Sequence, residues 1–139
     1  MINNNSIDSP FEVPVFARIP ILIAIRGPLA DRTFYLDEPL ISIGRQSSND
    51  IVVNDPLVSR HHCKIRSEGD QHTIEDLNSS NGTYVNGERV RVDPLKEGSL
   101  IEIGTSQFLF RLRNSELAAL GQNLVVAENF SNSYNAIRS

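Results

Sequence analysis

Between positions 44 and 87 the chain carries three polar clusters that are better suited to binding an anion than to making or breaking bonds. The first is Gly44-Arg45. The second is Ser59-Arg60-His61-His62, followed directly by Cys63. The third is Ser80-Asn81-Gly82-Thr83, with Asn86-Gly87 close behind. Arginine presents a planar fork of N–H donors that matches phosphate or carboxylate oxygens in pairs. A serine hydroxyl can donate to the same group, and an asparagine amide offers a peptide backbone one donor and one acceptor. Taken singly, each cluster has a plainer explanation. Arg45 at a strand end is an ordinary solvated charge, and Gly44 serves turn geometry. Ser59-Arg60 lies in a turn after Asp55-Pro56, and the two Asn-Gly pairs are hairpin dipeptides.

Other chemistries fit less well. His61, His62 and Cys63 look at first like metal ligands. Adjacent strand residues point to opposite faces, so the two histidines would not converge if both are in the strand. Cys63 is the only cysteine. It has no partner at zinc spacing and none for an internal disulfide, and within a strand pattern it reads as a small core residue. No activated nucleophile and no paired carboxylates accompany the clusters. The expectation is a binding module with no catalytic residue, no cofactor and no metal.

Such loops need a rigid support. A chain of 139 residues, 40% of them hydrophobic, can form one domain with tails. The formal net charge of −4, from 13 basic and 17 acidic residues, argues against a nucleic-acid binder. Met1 to Ser6 lacks the basic start and apolar run of a signal peptide. The longest apolar stretch, Ile19 to Ile25, is too short to span a bilayer. These features predict a soluble, cytoplasmic protein that does not engage a membrane.

Short β-branched or alternating runs recur along the chain. They are Ala17–Arg26, Arg32–Leu36, Ile41–Ile43, Asp50–Val53, His62–Arg66, His72–Leu77, Thr83–Val85 and Val90–Val92. Leu100–Ile103 and Gln107–Leu112 follow as a hairpin around Gly104-Thr105-Ser106. Many short strands at close spacing predict an all-β sandwich. Residues 1–16, rich in Asn and Ser, read as a flexible lead-in. Residues 17–113 read as the domain and 114–139 as a tail. In that tail Leu117, Leu120, Leu124 and Ala127 predict a short helix.

The three clusters, taken in order, resemble the forkhead-associated (FHA) domain over about residues 20 to 113. The resemblance implies a two-sheet β-sandwich of about eleven mostly antiparallel strands, with loops at one end that bind phosphothreonine peptides. It implies that Arg45 and Ser59 contact the phosphate, that Arg60 and Ser80 assist, and that Asn81 holds the peptide main chain. Gly44, His62, Gly82, Asn86 and Gly87 would support the site without touching ligand. The implied function is a phosphothreonine-dependent interaction module working with a serine/threonine kinase. An alternative is a scaffold or oligomerisation unit with a vestigial pocket. The sequence holds four threonines, Thr33, Thr73, Thr83 and Thr105, and none lies in residues 1–16 or 114–139. The ligand is therefore expected in trans, from another chain.

Overall fold

The computed structural model describes residues 18–114. The helix expected within 114–139 lies outside them. The described residues form eleven strands: β1 (Arg18–Arg26), β2 (Thr33–Tyr35), β3 (Leu40–Gly44), β4 (Ile51–Val52), β5 (Cys63–Glu68), β6 (Gln71–Asp76), β7 (Thr83–Val85), β8 (Glu88–Val90), β9 (Val92–Leu95), β10 (Leu100–Ile103) and β11 (Ser106–Asn114). One sheet has the order β9-β6-β5-β3-β4 and the other β2-β1-β11-β10-β7-β8. The expected all-β sandwich is what forms. Among the described residues no helix is long and apolar enough to cross a membrane.

Alternation along the strands decides which faces meet. In β10, Ile101 and Ile103 are buried while Leu100 and Glu102 are partly exposed. Ile101 pairs with Phe108 of β11, and Ile65 of β5 pairs with Ile74 of β6. These side chains join Leu22, Ile43, Val53, Val58 and Phe110 in one apolar core between the sheets. Phe34 meets the Phe108 ring edge-on at 6.4 Å, a favoured arrangement of aromatic quadrupoles.

Two details depart from the run-by-run expectation. Val90–Val92 is not one strand, because β8 ends at Val90 in the six-stranded sheet and β9 begins at Val92 in the five-stranded sheet. The chain changes sheets at Arg91, whose carbonyl accepts from the Asp76 N–H at 2.8 Å. Pro94 then lies inside β9, opposite Thr73. It is tolerated because β9 is an outer strand, so its missing N–H leaves no ladder bond unmade. The second departure is β4, which runs parallel to β3 for only two pairs. Six residues join the two strands, too few for an ordinary crossover. Side chains hold the loop instead: the Asp50 carboxylate accepts from the Ser42 N–H at 2.8 Å and from its hydroxyl at 3.1 Å.

Candidate functional site

Loops 45–50, 53–62 and 77–82 are bonded to one another through their backbones and side chains. The middle loop is anchored first. Val58 is buried in the core while Leu57 beside it is exposed. The buried Asp55 carboxylate accepts from the Leu57 N–H at 2.9 Å, the Thr105 N–H at 2.9 Å and the Thr105 hydroxyl at 2.7 Å. Those donors, the Thr105 and Leu57 N–H groups foremost, hold its pKa below the ordinary 3.8. Asp55 thus ties the middle loop to the β10–β11 turn.

Arg45 stands at the end of β3 and is exposed. Its N–H donates to the Ser59 carbonyl at 3.0 Å, and its Nε donates to the Val58 carbonyl at 2.9 Å. The guanidinium is therefore aimed by its inner N–H, and both Nη groups remain for a ligand. No carboxylate pairs with it among the described residues. Gly44 is required by proximity. A Cβ there would lie 2.2 Å from the Arg60 carbonyl oxygen and 2.7 Å from Asn49 Nδ2. That Nδ2 donates to the carbonyls of Gln46 and Arg60, each at 2.8 Å, and stitches the first loop to the second. Gly44→Ala should force the two loops apart and lower the unfolding free energy by about 1–3 kcal/mol, as overpacking does. An unchanged denaturation midpoint would show that the loops separate at no cost.

The third loop is built around Asp76. Its carboxylate accepts from the Ser79 hydroxyl, from the Ser79 N–H at 3.0 Å and from the Thr83 hydroxyl at 2.7 Å. The Ser79 oxygen in turn accepts from the Gly82 N–H at 3.0 Å. Burial opposes ionisation of Asp76, but the hydrogen bonds from Ser79 and Thr83 outweigh it and leave its pKa below the ordinary 3.8. Gly82 has φ +92, where a side chain would be strained. Asn81-Gly82 is not a hairpin turn, because the segment carries the chain from β6 to β7 in the other sheet. Asn86-Gly87 is one, with Val85 paired to Glu88 and φ positive at both residues.

His62 joins the second loop to the third from inside. It is fully buried. Its Nε2 lies 2.9 Å from the Gly82 carbonyl, and its Nδ1 accepts from the Ser59 N–H at 3.1 Å. A carbonyl only accepts, so the proton sits on Nε2 and the ring is neutral. Protonating Nδ1 would set two N–H groups against each other. Burial, the largest cause, lowers the His62 pKa from the ordinary 6.5, and it does the same for His72.

The sign of the pH dependence follows. Below about pH 6.5 the unfolded chain takes up protons that the folded His62 and His72 refuse. Their contribution to stability is complete above that value and declines as the pH falls toward the folded values. Asp55 and Asp76 add a second decline below their ordinary 3.8. Denaturant melts at about pH 7.5 and pH 5 should therefore show lower stability at the acid end. A flat profile over that range would contradict the neutral-His62 assignment.

Ser59, Ser80 and Asn81 complete the outer surface. The Ser80 N–H donates to Ser59 Oγ at 3.1 Å, leaving the Ser59 hydroxyl proton for another acceptor. Asn81 Nδ2 donates to the Leu57 carbonyl at 2.8 Å, so its Oδ1 faces away with acceptor capacity. Arg45, Ser59, Arg60, Ser80 and Asn81 all line one open depression of about 430 Å³. Pro56, Leu57, Val58, His61 and Leu77 line it too. His61 and His62 diverge, His61 into this depression and His62 into the interior. Sequence reasoning overlooked His61 and Leu77 as lining residues. It also overlooked Asn49, Asp55, Asp76 and Ser79 as the anchors. The Asp55-Pro56 pair was a visible turn signal, and the others had none.

This arrangement has counterparts. The model of the FHA domain family matches residues 41–104. A solved FHA domain with phosphothreonine-dependent interactions is 34% identical, with a TM-score of 0.62, over 67% of this chain and 95% of that one. The chain belongs to the FHA domain family. Glycogen accumulation regulator GarA of Mycolicibacterium smegmatis is 41% identical over 65% of this chain and 57% of its own length. The oxoglutarate dehydrogenase inhibitor of Corynebacterium jeikeium is 40% identical over 65% of this chain and 62% of its own. The chain therefore spans about three-fifths of the length of each of these two relatives.

Proposed function

We propose that this FHA domain docks onto phosphothreonine-bearing segments of other proteins, downstream of a serine/threonine kinase, and binds them without reacting. One observation carries this reading. The Arg45 Nη groups, the Ser59 hydroxyl and the Asn81 Oδ1 are all left uncommitted by the loop bonding, and their residues line the same depression. Arg45 grips two phosphate oxygens with its fork and Ser59 donates to the phosphate. Arg60 and Ser80 assist, and Asn81 accepts from a peptide N–H. Gly44, His62, Gly82, Asn86 and Gly87 keep the loops in place. Such recognition of a phosphorylated motif by arginine is an established peptide-binding mode. GarA and the oxoglutarate dehydrogenase inhibitor are named as a regulator and an inhibitor. A domain that acts by docking suits both roles.

The ligand comes from another chain. The four threonines of the sequence all lie in the folded domain. Thr83 is buried with its hydroxyl on Asp76, and the Thr105 hydroxyl is held by Asp55. Thr33 and Thr73 sit in β2 and β6. The deciding experiment is calorimetric titration with one peptide as its threonine, phosphothreonine and phosphoserine forms. The phosphothreonine form should bind tightest. Phosphoserine should be weaker by about 0.8 kcal/mol or more, the value of one buried methyl. Equal binding of the unphosphorylated peptide would overturn the reading.

A further inference from the structure

We propose that Thr105 is a phosphorylation site and that a phosphate there switches the peptide site off. The inference rests on the phosphothreonine reading above and adds a control to the same site.

The turn Gly104-Thr105, between β10 and β11, packs directly on the middle site loop. A Cβ on Gly104 would lie 2.7 Å from Asp55 Oδ2 and 2.8 Å from Val58 Cγ2. Thr105 donates to that same Oδ2 twice, from its N–H at 2.9 Å and its hydroxyl at 2.7 Å. Yet Thr105 is exposed, whereas Asp55 is buried. Among the described residues Thr105 is the one exposed threonine whose hydroxyl bonds a site loop. Thr83 is buried, Thr73 is half-buried and Thr33 sits in the outer strand β2. Through this contact the turn controls the aim of two ligand groups. Asp55 Oδ1 accepts from the Leu57 N–H, and the Asp55 carbonyl accepts from the Val58 N–H, both at 2.9 Å. The Leu57 carbonyl holds Asn81 Nδ2 at 2.8 Å, and the Val58 carbonyl holds Arg45 Nε at 2.9 Å. Loop 55–58 thus connects the turn to the side chains assigned to the phosphate and to the peptide main chain. Thr105 itself does not line the depression.

Phosphorylation turns this attraction into repulsion. A serine/threonine kinase transfers the γ-phosphoryl group of ATP to Thr105 Oγ1. An O–P bond forms there, the bond from the γ-phosphorus to the ADP oxygen breaks, and the hydroxyl proton leaves to the base of the kinase. The donor to Asp55 is then replaced by a group of about −1.5 to −2 charges whose oxygens are acceptors. Beside a buried carboxylate such a group is repelled. No lysine or arginine is paired with Asp55 among the described residues to offset it. The turn leaves the loop, and Asp55 loses both Thr105 donors. Leu57 and Val58 then no longer hold Asn81 and Arg45 in register. Hydrolysis of the phosphate ester by a phosphatase restores the contact.

The test compares the full chain carrying phosphothreonine at 105, installed during translation, with the unmodified protein, Thr105→Glu and Thr105→Gln. Calorimetry with one phosphothreonine peptide reads affinity. Amide exchange at the Leu57 N–H reads the loop contact with no ligand present. The phosphate and Thr105→Glu should each weaken binding about ten- to a hundredfold, the worth of lost hydrogen bonds to a charged group. Thr105→Gln, which adds no charge, should cost only about threefold. Exchange at Leu57 should accelerate in both anionic forms, while Ile65 and Ile101 in the core stay protected. In parallel, a panel of serine/threonine kinases with ATP is applied to the purified protein, and at least one should place phosphate on Thr105. A Thr105 left unmodified by every kinase would overturn the proposal, as would undiminished affinity with the phosphate in place. Gln as harmful as Glu would overturn it by assigning the effect to the lost hydroxyl. Global unfolding of both anionic forms would do so by making the turn a determinant of the fold. A loss of binding that grows with protein concentration would instead make phosphorylated Thr105 a ligand for a second copy, and the switch would fall. Failure of the unmodified protein to bind any phosphothreonine peptide would remove the underlying reading, and exchange at Leu57 would still decide whether the phosphate frees the loop.

Discussion

Arg45→Ala should reduce phosphothreonine-peptide affinity by at least ten- to a hundredfold while the domain stays folded. The two expectations have separate causes. Arg45 is exposed, so its side chain contributes little to packing. What disappears is a pair of charge-assisted contacts to a dianionic group, worth about 1.5–3 kcal/mol. Each 1.4 kcal/mol is a factor of ten in affinity. Arg45→Lys should recover only part of the loss. An ammonium keeps the charge but cannot present a fork. Nor can it reproduce the Nε bond to the Val58 carbonyl that aims the group. Calorimetry on the three proteins, with thermal melts alongside, separates these effects. A folded alanine variant with undiminished affinity would remove Arg45 from the phosphate.

His62→Ala should act in the reverse order, on stability first and on binding through it. The ring connects the Ser59 N–H to the Gly82 carbonyl, and no smaller side chain spans both. Its removal leaves the buried end of that connection without a partner, at about 1–3 kcal/mol, and adds a cavity term. For a domain of this size each kcal/mol lowers the melting temperature by about 4–8 °C. Ser59 and the segment holding Ser80 and Asn81 would then lose their common brace, and peptide affinity should fall with stability. A variant that melts like the parent yet fails to bind would make His62 a direct ligand contact, against its full burial.

How much of this could be read in the sequence depended on the range of the interaction. The sandwich was legible because its signals are local. Period-two alternation in Leu100–Ile103, the Asn86-Gly87 turn and the spacing of short apolar runs each involve neighbours in sequence. Arg45, Ser59, Arg60, Ser80 and Asn81 could be singled out because they occur as short motifs in a fixed order. Their meeting in one depression was implied only by the family resemblance and not by local pattern, since the members lie up to 36 positions apart (45 to 81) and come together through the loop bonding. His61 and His62 diverge as expected but not by strand alternation, since both precede β5 and their directions are set by the loop bonding. Which of the two would face the groove was not legible.

By itself, then, the sequence determined an all-β chain, the turn chemistry that punctuates it and the residue types able to hold a phosphate. Each of these depends on the backbone preferences and side-chain donors of a few consecutive residues. The tertiary structure alone decided what holds the site together. Asp55 reaches Thr105 across 50 positions, Asn49 reaches the Arg60 carbonyl and His62 reaches Gly82. Each of these contacts joins a side chain to a backbone group or hydroxyl distant in the chain, and such a partner leaves no pattern in the residues around it. The same holds for the break at Arg91, where adjacent strands enter different sheets because each finds its hydrogen-bonding edge on a different neighbour.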